Sequence, residues 1–196
     1  MKKNHEVEYR ALLTPKVYLN LLEIGKKKHA LNINDPIIIE DSYYCSKEVT
    51  SFKEVEMDTV GSYSFRLRKE IKNNKEISKL NTKIITTLGD HNAWREHETD
   101  VSSHDECDKI LKSIGFKRFF TFKKKRYTYY VKDILVCLED IKGFGPIIEV
   151  EIITTKEKEK DAKKKLITFL KSHNIKREDI VKKSVTNMLM KKKASF

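Results

Sequence analysis

The sequence has few cysteines and lacks any long apolar run. Its three cysteines, Cys45, Cys107 and Cys137, are an odd number at wide spacing. This argues against a disulfide framework or a paired zinc knuckle and favours free thiols in a reducing compartment. No apolar stretch approaches the length of a membrane span, and the first residues do not form a signal peptide. We therefore expect a soluble, cytoplasmic protein with no membrane partner.

Positive charge is in excess. Among 196 residues, 41 Lys and Arg face 29 Asp and Glu, which gives a formal net charge of +12. A basic surplus suggests a polyanionic partner such as a nucleic acid, a nucleotide or a polyphosphate. The same surplus would arise if the whole proteome were rich in lysine. The abundance of Asn and Ile in this sequence favours that explanation. At this length, with 39% hydrophobic residues, we expect one domain over residues 1–196.

Two acidic strands are predicted near opposite ends of the chain. In residues 6–10 and again in residues 147–152, charged and apolar residues alternate. Because side chains alternate across a strand, the charged residues of each segment share one face. Two carboxylates two residues apart can then share a hard cation. The carboxylates are Glu6 and Glu8 in the first strand, beside Arg10, and Glu149 and Glu151 in the second.

Basic strands lie between the acidic ones. Residues 61–68 alternate cleanly and place Arg66 and Arg68 on one face. The segment 72–75 (Lys-Asn-Asn-Lys) predicts a turn, and the return strand carries Lys79, Asn81 and Lys83 at alternate positions. A third strand, residues 116–131, contains Lys124 and Arg126 and is followed by a strand that ends near Glu139.

Helices are predicted in the connections and at the carboxyl end. Thr14-Pro15 opens the first helix, Ser103 caps the second and Gly115 closes it. The chain reads as helical from about residue 156, with a shorter helix over 181–190 and a frayed tail over 191–196. About eight strands in hairpin order, with helices between them, predict an α+β fold: an eight-stranded antiparallel β-barrel.

The direction of the charged faces is left open by the spacing alone. If they point outward, the protein is a solvated barrel with an apolar interior. If they point inward, so many buried charges require mutual pairing and a ligand. Carboxylates with bound metal ions beside Arg and Lys are what a triphosphate requires, because hard cations take carboxylate oxygens and guanidinium groups take phosphate oxygens.

An ordered set of motifs resembles the CYTH superfamily, the triphosphate tunnel metalloenzymes, over nearly the whole chain. The first motif is similar to the family's ExExK, and the last is similar to the acidic block of its class IV adenylyl cyclase-like branch. In chain order the motifs are Glu6-x-Glu8-x-Arg10, Asp41-x-Tyr43-Tyr44, Arg66-x-Arg68, Leu80-x-x-Lys83, Arg95 to Glu98, Lys124-x-Arg126, and Glu139 through Gly143-x-Gly145 to Glu149-x-Glu151.

The resemblance implies a barrel whose tunnel binds a triphosphate, with the charged faces inward. It assigns the metal, Mg²⁺ or Mn²⁺, to Glu6, Glu8, Glu139, Glu149 and Glu151. It assigns the phosphates to Arg66, Arg68, Lys83, Lys124 and Arg126. Catalytic roles fall to Arg10, Lys83 and Arg126, with Arg10 as a positioning or water-polarising group.

The implied activity is that of a class IV adenylyl cyclase, which converts ATP to cyclic AMP and pyrophosphate. A triphosphatase acting on inorganic triphosphate, thiamine triphosphate or a nucleoside or RNA 5′-triphosphate is the alternative. A third possibility is a module that binds polyphosphate or RNA 5′ ends without turnover. The expected partner is ATP or inorganic triphosphate, with nucleic acid only as a 5′-triphosphate end, and the protein is expected as a monomer or homodimer.

Four features depart from the family pattern, one of which is that Ile84-Ile85 follows Lys83 where Gly-Pro is common. Arg10 stands where Lys is usual, and an arginine stays protonated, so it is unsuited to act as a base. Cys45 stands where an Asp often follows the tyrosines, and Val185 replaces a Tyr near the carboxyl end. These departures affect the predicted substrate-selecting edges more than the predicted phosphate and metal sites.

Overall fold

The computed structural model describes residues 5–56, 59–85, 94–181 and 185–194, and in this part of the chain it has eight strands and four α-helices. The strands are β1 (His5–Leu12), β2 (Ile37–Ser46), β3 (Tyr63–Lys72), β4 (Lys75–Ile85), β5 (Trp94–Val101), β6 (Phe116–Val131), β7 (Ile134–Ile141) and β8 (Gly145–Thr154). The helices are α1 (Pro15–Lys28), α2 (His104–Ser113), α3 (Glu159–Ser172) and α4 (Val185–Ala194).

The strands form one sheet in the order β1-β8-β7-β6-β2-β3-β4-β5. The pairings of β1 with β8, of β8 with β7, of β7 with β6, and of β2, β3, β4 and β5 in turn are antiparallel. Helices α1 and α2 lie in connections and α3 and α4 follow the last strand. The predicted α+β fold with eight antiparallel strands is therefore confirmed.

Local sequence explains where these elements begin and end. The side chain of Thr14 accepts a hydrogen bond from the backbone N–H of Val17 (3.3 Å), and Pro15 takes the first position of α1. The β3–β4 turn is confirmed: Asn73 and Asn74 have φ values of 50° and 60°, the left-handed conformation that asparagine tolerates in two-residue hairpin loops. Gly115, with φ of 98°, follows α2 as predicted.

The chain divides into two compact units. Unit 1 comprises residues 1–36 and 124–182, and unit 2 comprises residues 37–123 and 183–196. Strand β6 contributes its first part to unit 2 and its second part to unit 1. A single domain over residues 1–196 stays a prediction.

In unit 1, one face of the strands is apolar and is covered by α1 and α3. The core includes the fully buried Val7, Leu138, Ile148 and Leu166, and α3 contacts both β1 and β8. Because side chains alternate along a strand, the charged residues of these strands lie on the face opposite the helices. The core of unit 1 thus fixes the direction of its charged face.

Unit 2 repeats this arrangement around a smaller core. Tyr44, Leu67 and Leu111 are buried together, with Phe65 and Phe116 packed against them, and α2 contacts β3. Along β3, which is the predicted basic strand, the apolar Phe65 and Leu67 alternate with Arg66 and Arg68. The arginines of β3 therefore lie on the face opposite α2.

The carboxyl end differs from the prediction in two places. Val181, expected in a helix, is not helical, because its backbone N–H donates to the carbonyl of Arg10 (2.8 Å) and so extends the pairing along β1. Residues 182–184 of the predicted helix lie outside the described part. The tail expected to fray from Lys191 is helical as far as Ala194, and Lys191 pairs with Glu56 (2.8 Å).

Bilayer-crossing helices are absent from the described ranges: none of these helices is long and apolar enough for that role.

Gly25 provides a test of the packing of α1. A Cβ added there would lie 2.9 Å from both Leu31 and the ring of Tyr129, and Tyr129 is buried and stacked on His29. We expect Gly25→Ala to destabilise the protein by about 1–2 kcal/mol in urea unfolding, since overpacking outweighs the gain in helix propensity. Asn20→Ala, at an exposed position of the same helix, is the control and should be neutral or slightly stabilising. A stabilised Gly25→Ala would contradict the close packing.

Candidate functional site

The charged face of unit 1 brings together residues that are distant in sequence. The β1–β8 register places Glu8 opposite Glu151 and Arg10 opposite Glu149. The β6–β7 register places Arg126 opposite Glu139. Carboxylates and basic groups from four strands therefore share this face, as the alternation predicted.

Arg10 bridges two of the predicted metal ligands. Its Nε donates to Glu149 (2.5 Å) and a terminal nitrogen donates to Glu8 (2.9 Å). Burial alone would lower the pKa of Arg10, but Glu149 and Glu8 outweigh it and raise that pKa. Burial would also raise the pKa of Glu149, yet Arg10 and Arg126 hold it well below its usual value. Both groups are therefore charged at neutral pH.

Glu139 is the most deeply buried carboxylate of this face, with 2% of its surface exposed. Lys124 Nζ lies 2.7 Å from it, and Arg126 donates through Nε (2.6 Å) and through a terminal nitrogen. Burial opposes ionisation, but Lys124 and Arg126 keep the pKa of Glu139 below its usual value. The predicted metal ligand and two predicted phosphate ligands thus form one buried ion cluster.

Cys137 lies in the middle of the charged face, opposite Glu149 on β8 and Thr128 on β6. Burial first, and then Glu149, raise the pKa of its thiol to about 12. A thiol with this pKa is neutral and is not an activated nucleophile. This agrees with its interpretation from the sequence as a buried spectator.

The donor chemistry of this face fits a hard divalent cation, since every predicted ligand offers carboxylate oxygens. Glu8, Glu149 and Glu139 are held close to one another through Arg10, Lys124 and Arg126. Glu6 is exposed, opposite Ile153, and Glu151 is half-buried. Within the described ranges, no three His, Cys, Asp or Glu side chains are gathered as a metal site. The five-glutamate set stays a prediction.

The charged face of unit 2 is built around Asp41. Arg68 donates to both of its carboxylate oxygens, at 2.6 and 2.9 Å, in a buried bidentate pair. Arg66 Nε lies 3.6 Å from the same carboxylate. This Nε is buried and has no hydrogen-bond partner among the described residues, which is costly unless a ligand supplies an acceptor.

Lys83 is held by a carboxylate from the neighbouring strand. Its Nζ lies 3.0 Å from one oxygen of Glu96, and the side-chain amide of Asn81 donates to the other oxygen (2.5 Å). Burial would raise the pKa of Glu96, but Lys83, Asn81 and Arg66 lower it. Arg66, Asn81 and Lys83 are near one another because Asn81 is opposite Arg66 in the β3–β4 register.

Three residues of this arrangement were not assigned a role from the sequence: Asp41, Asn81 and Glu96. Each one falls in a segment that had been singled out. Of the three, Asn81 shares the strand parity of Lys79 and Lys83, and parity was the available signal for it. It could not identify the partners, because those depend on the register between strands.

Glu149 offers a test of these electrostatics. Because its folded pKa is lowered, its ionised form contributes stability above the unfolded pKa of about 4.3, and this contribution is lost as the pH falls. We expect Glu149→Gln to reduce the slope of unfolding free energy against pH between about pH 5 and 3, by up to roughly 1.4 kcal/mol per pH unit. Urea unfolding at several pH values measures this slope.

The control for this test is Glu178→Gln, at an exposed turn where the carboxylate is 75% exposed. It should leave the pH slope unchanged. Equal slopes for the wild type and Glu149→Gln would contradict a lowered pKa at Glu149.

Solved structures share the fold. The chain is similar to the PH1819 protein from Pyrococcus horikoshii OT3, with a TM-score of 0.76, 22% identity, and coverage of 95% of this chain and 99% of that one. It is also similar to a "putative adenylate cyclase" from Vibrio parahaemolyticus, with a TM-score of 0.72, 19% identity, and coverage of 95% and 98%. At these identities the likeness shows the fold alone.

Sequence comparisons give the family. A Methanocaldococcus jannaschii protein named "putative adenylate cyclase MJ0240" is 30% identical over 90 residues, which cover 45% of this chain and 51% of that protein. The match spans about half the length of this curated relative. The model of the CYTH domain matches residues 4–185, nearly the whole chain. This confirms the resemblance noted in the motifs: the chain belongs to the CYTH domain family.

Proposed function

We propose that this protein is a divalent-metal-dependent enzyme that acts on a triphosphate, with adenylyl cyclase activity on ATP as the specific reaction. CYTH proteins are generally metal-dependent enzymes of triphosphates, and two of the three proteins compared above bear the name putative adenylate cyclase. The observation that carries the proposal is the composition of the charged faces, where buried guanidinium and ammonium groups alternate with carboxylates.

Arg66 and Lys83 are the proposed phosphate ligands in unit 2. The buried Nε of Arg66 without a hydrogen-bond partner suits a phosphate oxygen, which would satisfy it. The partner of Lys83, Glu96, has a side chain that is 35% exposed, so a phosphate can replace it by exchange at modest cost. Arg68, by contrast, is bound to Asp41 through two hydrogen bonds. We propose that this pair stabilises the charged face next to Arg66 and Lys83.

The proposed cation ligands are Glu8, Glu139 and Glu149 in unit 1, with Glu6 and Glu151 completing the set. Arg10, Lys124 and Arg126 keep the carboxylates of Glu139 and Glu149 ionised, as hard cations require. A bound Mg²⁺ or Mn²⁺ would neutralise negative charge on phosphate oxygens. If a cation bound the carboxylate of Glu139, Lys124 and Arg126 would be displaced from it, and we propose that they then bind phosphate.

In the cyclase reaction the ribose 3′-oxygen forms a bond to the α-phosphorus. The bond from this phosphorus to the oxygen that bridges to the β-phosphorus breaks, and its electron pair leaves with pyrophosphate. The proton of the 3′-hydroxyl passes to solvent. Arg10 cannot accept this proton, because Glu149 and Glu8 raise its pKa. Its role is to hold these two carboxylates in place, which makes it a positioning residue.

The reaction is tested by ³¹P NMR of the purified protein with Mg²⁺ or Mn²⁺, with ATP in one sample and inorganic triphosphate in another. Pyrophosphate together with cyclic AMP is the expected product from ATP. Orthophosphate from either substrate would overturn the cyclase assignment and make the protein a triphosphatase. An unchanged spectrum in both samples would contradict turnover of these two triphosphates.

Two substitutions test the site. We expect Glu149→Gln and Arg66→Ala each to lower turnover at least about 100-fold, as loss of a charge-stabilising group typically does, with the fold retained by circular dichroism. Glu178→Gln and Arg177→Ala, matched substitutions in an exposed turn, should leave turnover unchanged. Full activity of Glu149→Gln would contradict the site assignment.

A further inference from the structure

The outer side of helix α3 is strongly basic. The helix contains five lysines against one aspartate and one glutamate. It packs on β1 and β8 through buried side chains that include Leu166 and Leu170, so its exposed side points away from the sheet. Because α3 covers the apolar face of these strands, its basic side lies opposite the charged face of unit 1. The basic surface is therefore separate from the proposed triphosphate site.

Three of these lysines form a row along the helix. Lys160, Lys164 and Lys171 are all exposed. With 3.6 residues per turn, these positions fall within about 40° of one another around the helix axis. At a rise of 1.5 Å per residue the row is about 16 Å long, with steps of about 6 and 10 Å. These three residues are called the α3 lysine row below.

The fold does not neutralise the α3 lysine row. Two acids next to it are paired with other lysines of the helix: Glu159 with Lys163 (2.5 Å) and Asp133 with Lys165. Asp161 lies about 60 to 100° around the helix axis from the row. Among the residues that the structure describes, no acidic side chain forms an ion pair with the row. Its positive charge is thus available to an external anion.

The stability of α3 does not account for the row. Lys160 and Lys164 are like charges at positions i and i+4, which repel. Lys160 lies in the first turn, where the positive end of the helix dipole disfavours a cation, and the N-cap residue Lys158 makes no side-chain capping hydrogen bond. The lysines 26–28 of α1, by contrast, lie in the last turn of their helix, where the dipole favours them. A lysine-rich proteome would explain the number of lysines, but not a row that opposes the dipole.

The chemistry of the row favours the backbone of a nucleic acid. Lysine binds phosphate as a point charge. Successive phosphates of a duplex strand advance about 3.4 Å along the axis, so a row of about 16 Å spans about five of them. The row contains no arginine or aromatic side chain of the kind that reads or stacks on bases. Binding should therefore be independent of base sequence.

An anionic membrane is a poorer match to this surface. Helices that lie in the membrane interface insert large apolar side chains between the lipids. Helix α3 exposes no large apolar side chain. Its exposed positions between the lysines carry polar residues such as Thr168.

We propose that the α3 lysine row binds the phosphate backbone of a nucleic acid without reading its sequence. A 5′-triphosphate end would enter the charged face, whereas an internal stretch of a strand would bind here, on the opposite side of unit 1. The charged face stays accessible while the row is occupied. The inference does not depend on the proposed enzymatic activity.

The test is the fluorescence anisotropy of a labelled DNA duplex of about two helical turns, titrated with protein between about 50 and 200 mM NaCl. For three neutralised phosphates, the log of the association constant should fall against the log of salt with a slope of about −2.7 or steeper. We expect the α3 lysine row changed to Gln (Lys160→Gln, Lys164→Gln, Lys171→Gln) to remove about 2.7 of this slope and to weaken binding at least about tenfold at the lowest salt. Glutamine and lysine have similar helix propensities, so circular dichroism should not change.

The control makes the same charge change at exposed lysines of unit 2: Lys53→Gln, Lys72→Gln and Lys75→Gln. It should keep the slope of the wild type. A row variant that binds like the wild type, or a control that loses as much, would overturn the proposal.

The wild-type protein provides a second measurement that does not depend on the folding of a variant. Inorganic triphosphate with Mg²⁺ should not displace the duplex, and displacement would overturn the proposal because the duplex would then occupy the charged face. No binding to the duplex, with binding to vesicles rich in phosphatidylserine, would overturn it in favour of a membrane. Failure of the proposed function is distinguishable, because Arg66→Ala should lower turnover of triphosphate without weakening the duplex, whereas the row variant should do the reverse.

Discussion

The pairing of buried charges is the constraint on which the rest of this molecule depends. Helices α1, α2 and α3 cover one face of their strands, so alternation puts Glu139, Arg10 and Arg68 on the other face. A buried charge without a partner costs several kcal/mol. Each of these residues accordingly has a partner from another strand or from its own: Glu139 holds Arg126, Arg10 holds Glu149, and Arg68 holds Asp41.

At the proposed site a ligand would displace the present ion-pair partner of a charged side chain rather than bind to side chains that have no partner. A phosphate on Lys83 would replace Glu96, and a cation on Glu139 would release Lys124 or Arg126 to bind phosphate. Such an exchange keeps the number of paired charges constant. Its net free energy is therefore smaller than the Coulomb energy and the desolvation energy that oppose each other in it. Arg66 differs, because its buried Nε lies 3.6 Å from Asp41 but has no hydrogen bond to give up among the described residues.

The sequence allowed most of the fold to be predicted, since strand parity, the Asn73-Asn74 turn and the Thr14 and Ser103 caps are local signals. The family motifs added the order of the charged strands. Partners such as Asp41 for Arg68 and Glu96 for Lys83 could not be predicted, because a register between strands depends on the packing of whole faces. The predicted start of the last helix at Val181 was wrong for a related reason: the backbone N–H of Val181 donates to the carbonyl of Arg10, far away in the chain, and the residues next to Val181 do not indicate this pairing.

The arginine at position 10, where the family pattern that the chain resembles has lysine, suits this pairing. A planar guanidinium can donate to Glu8 and Glu149 through separate nitrogens at 2.9 and 2.5 Å, whereas an ammonium is a point charge with weaker geometric preference. Arg10 therefore holds both carboxylates in place and lowers the pKa of Glu149. The pKa values of Arg10 and Arg126 are raised, whereas those of Glu139 and Glu149 are lowered. Both guanidinium groups therefore stay charged, and the acid side of the pH dependence of this face is governed by its carboxylates.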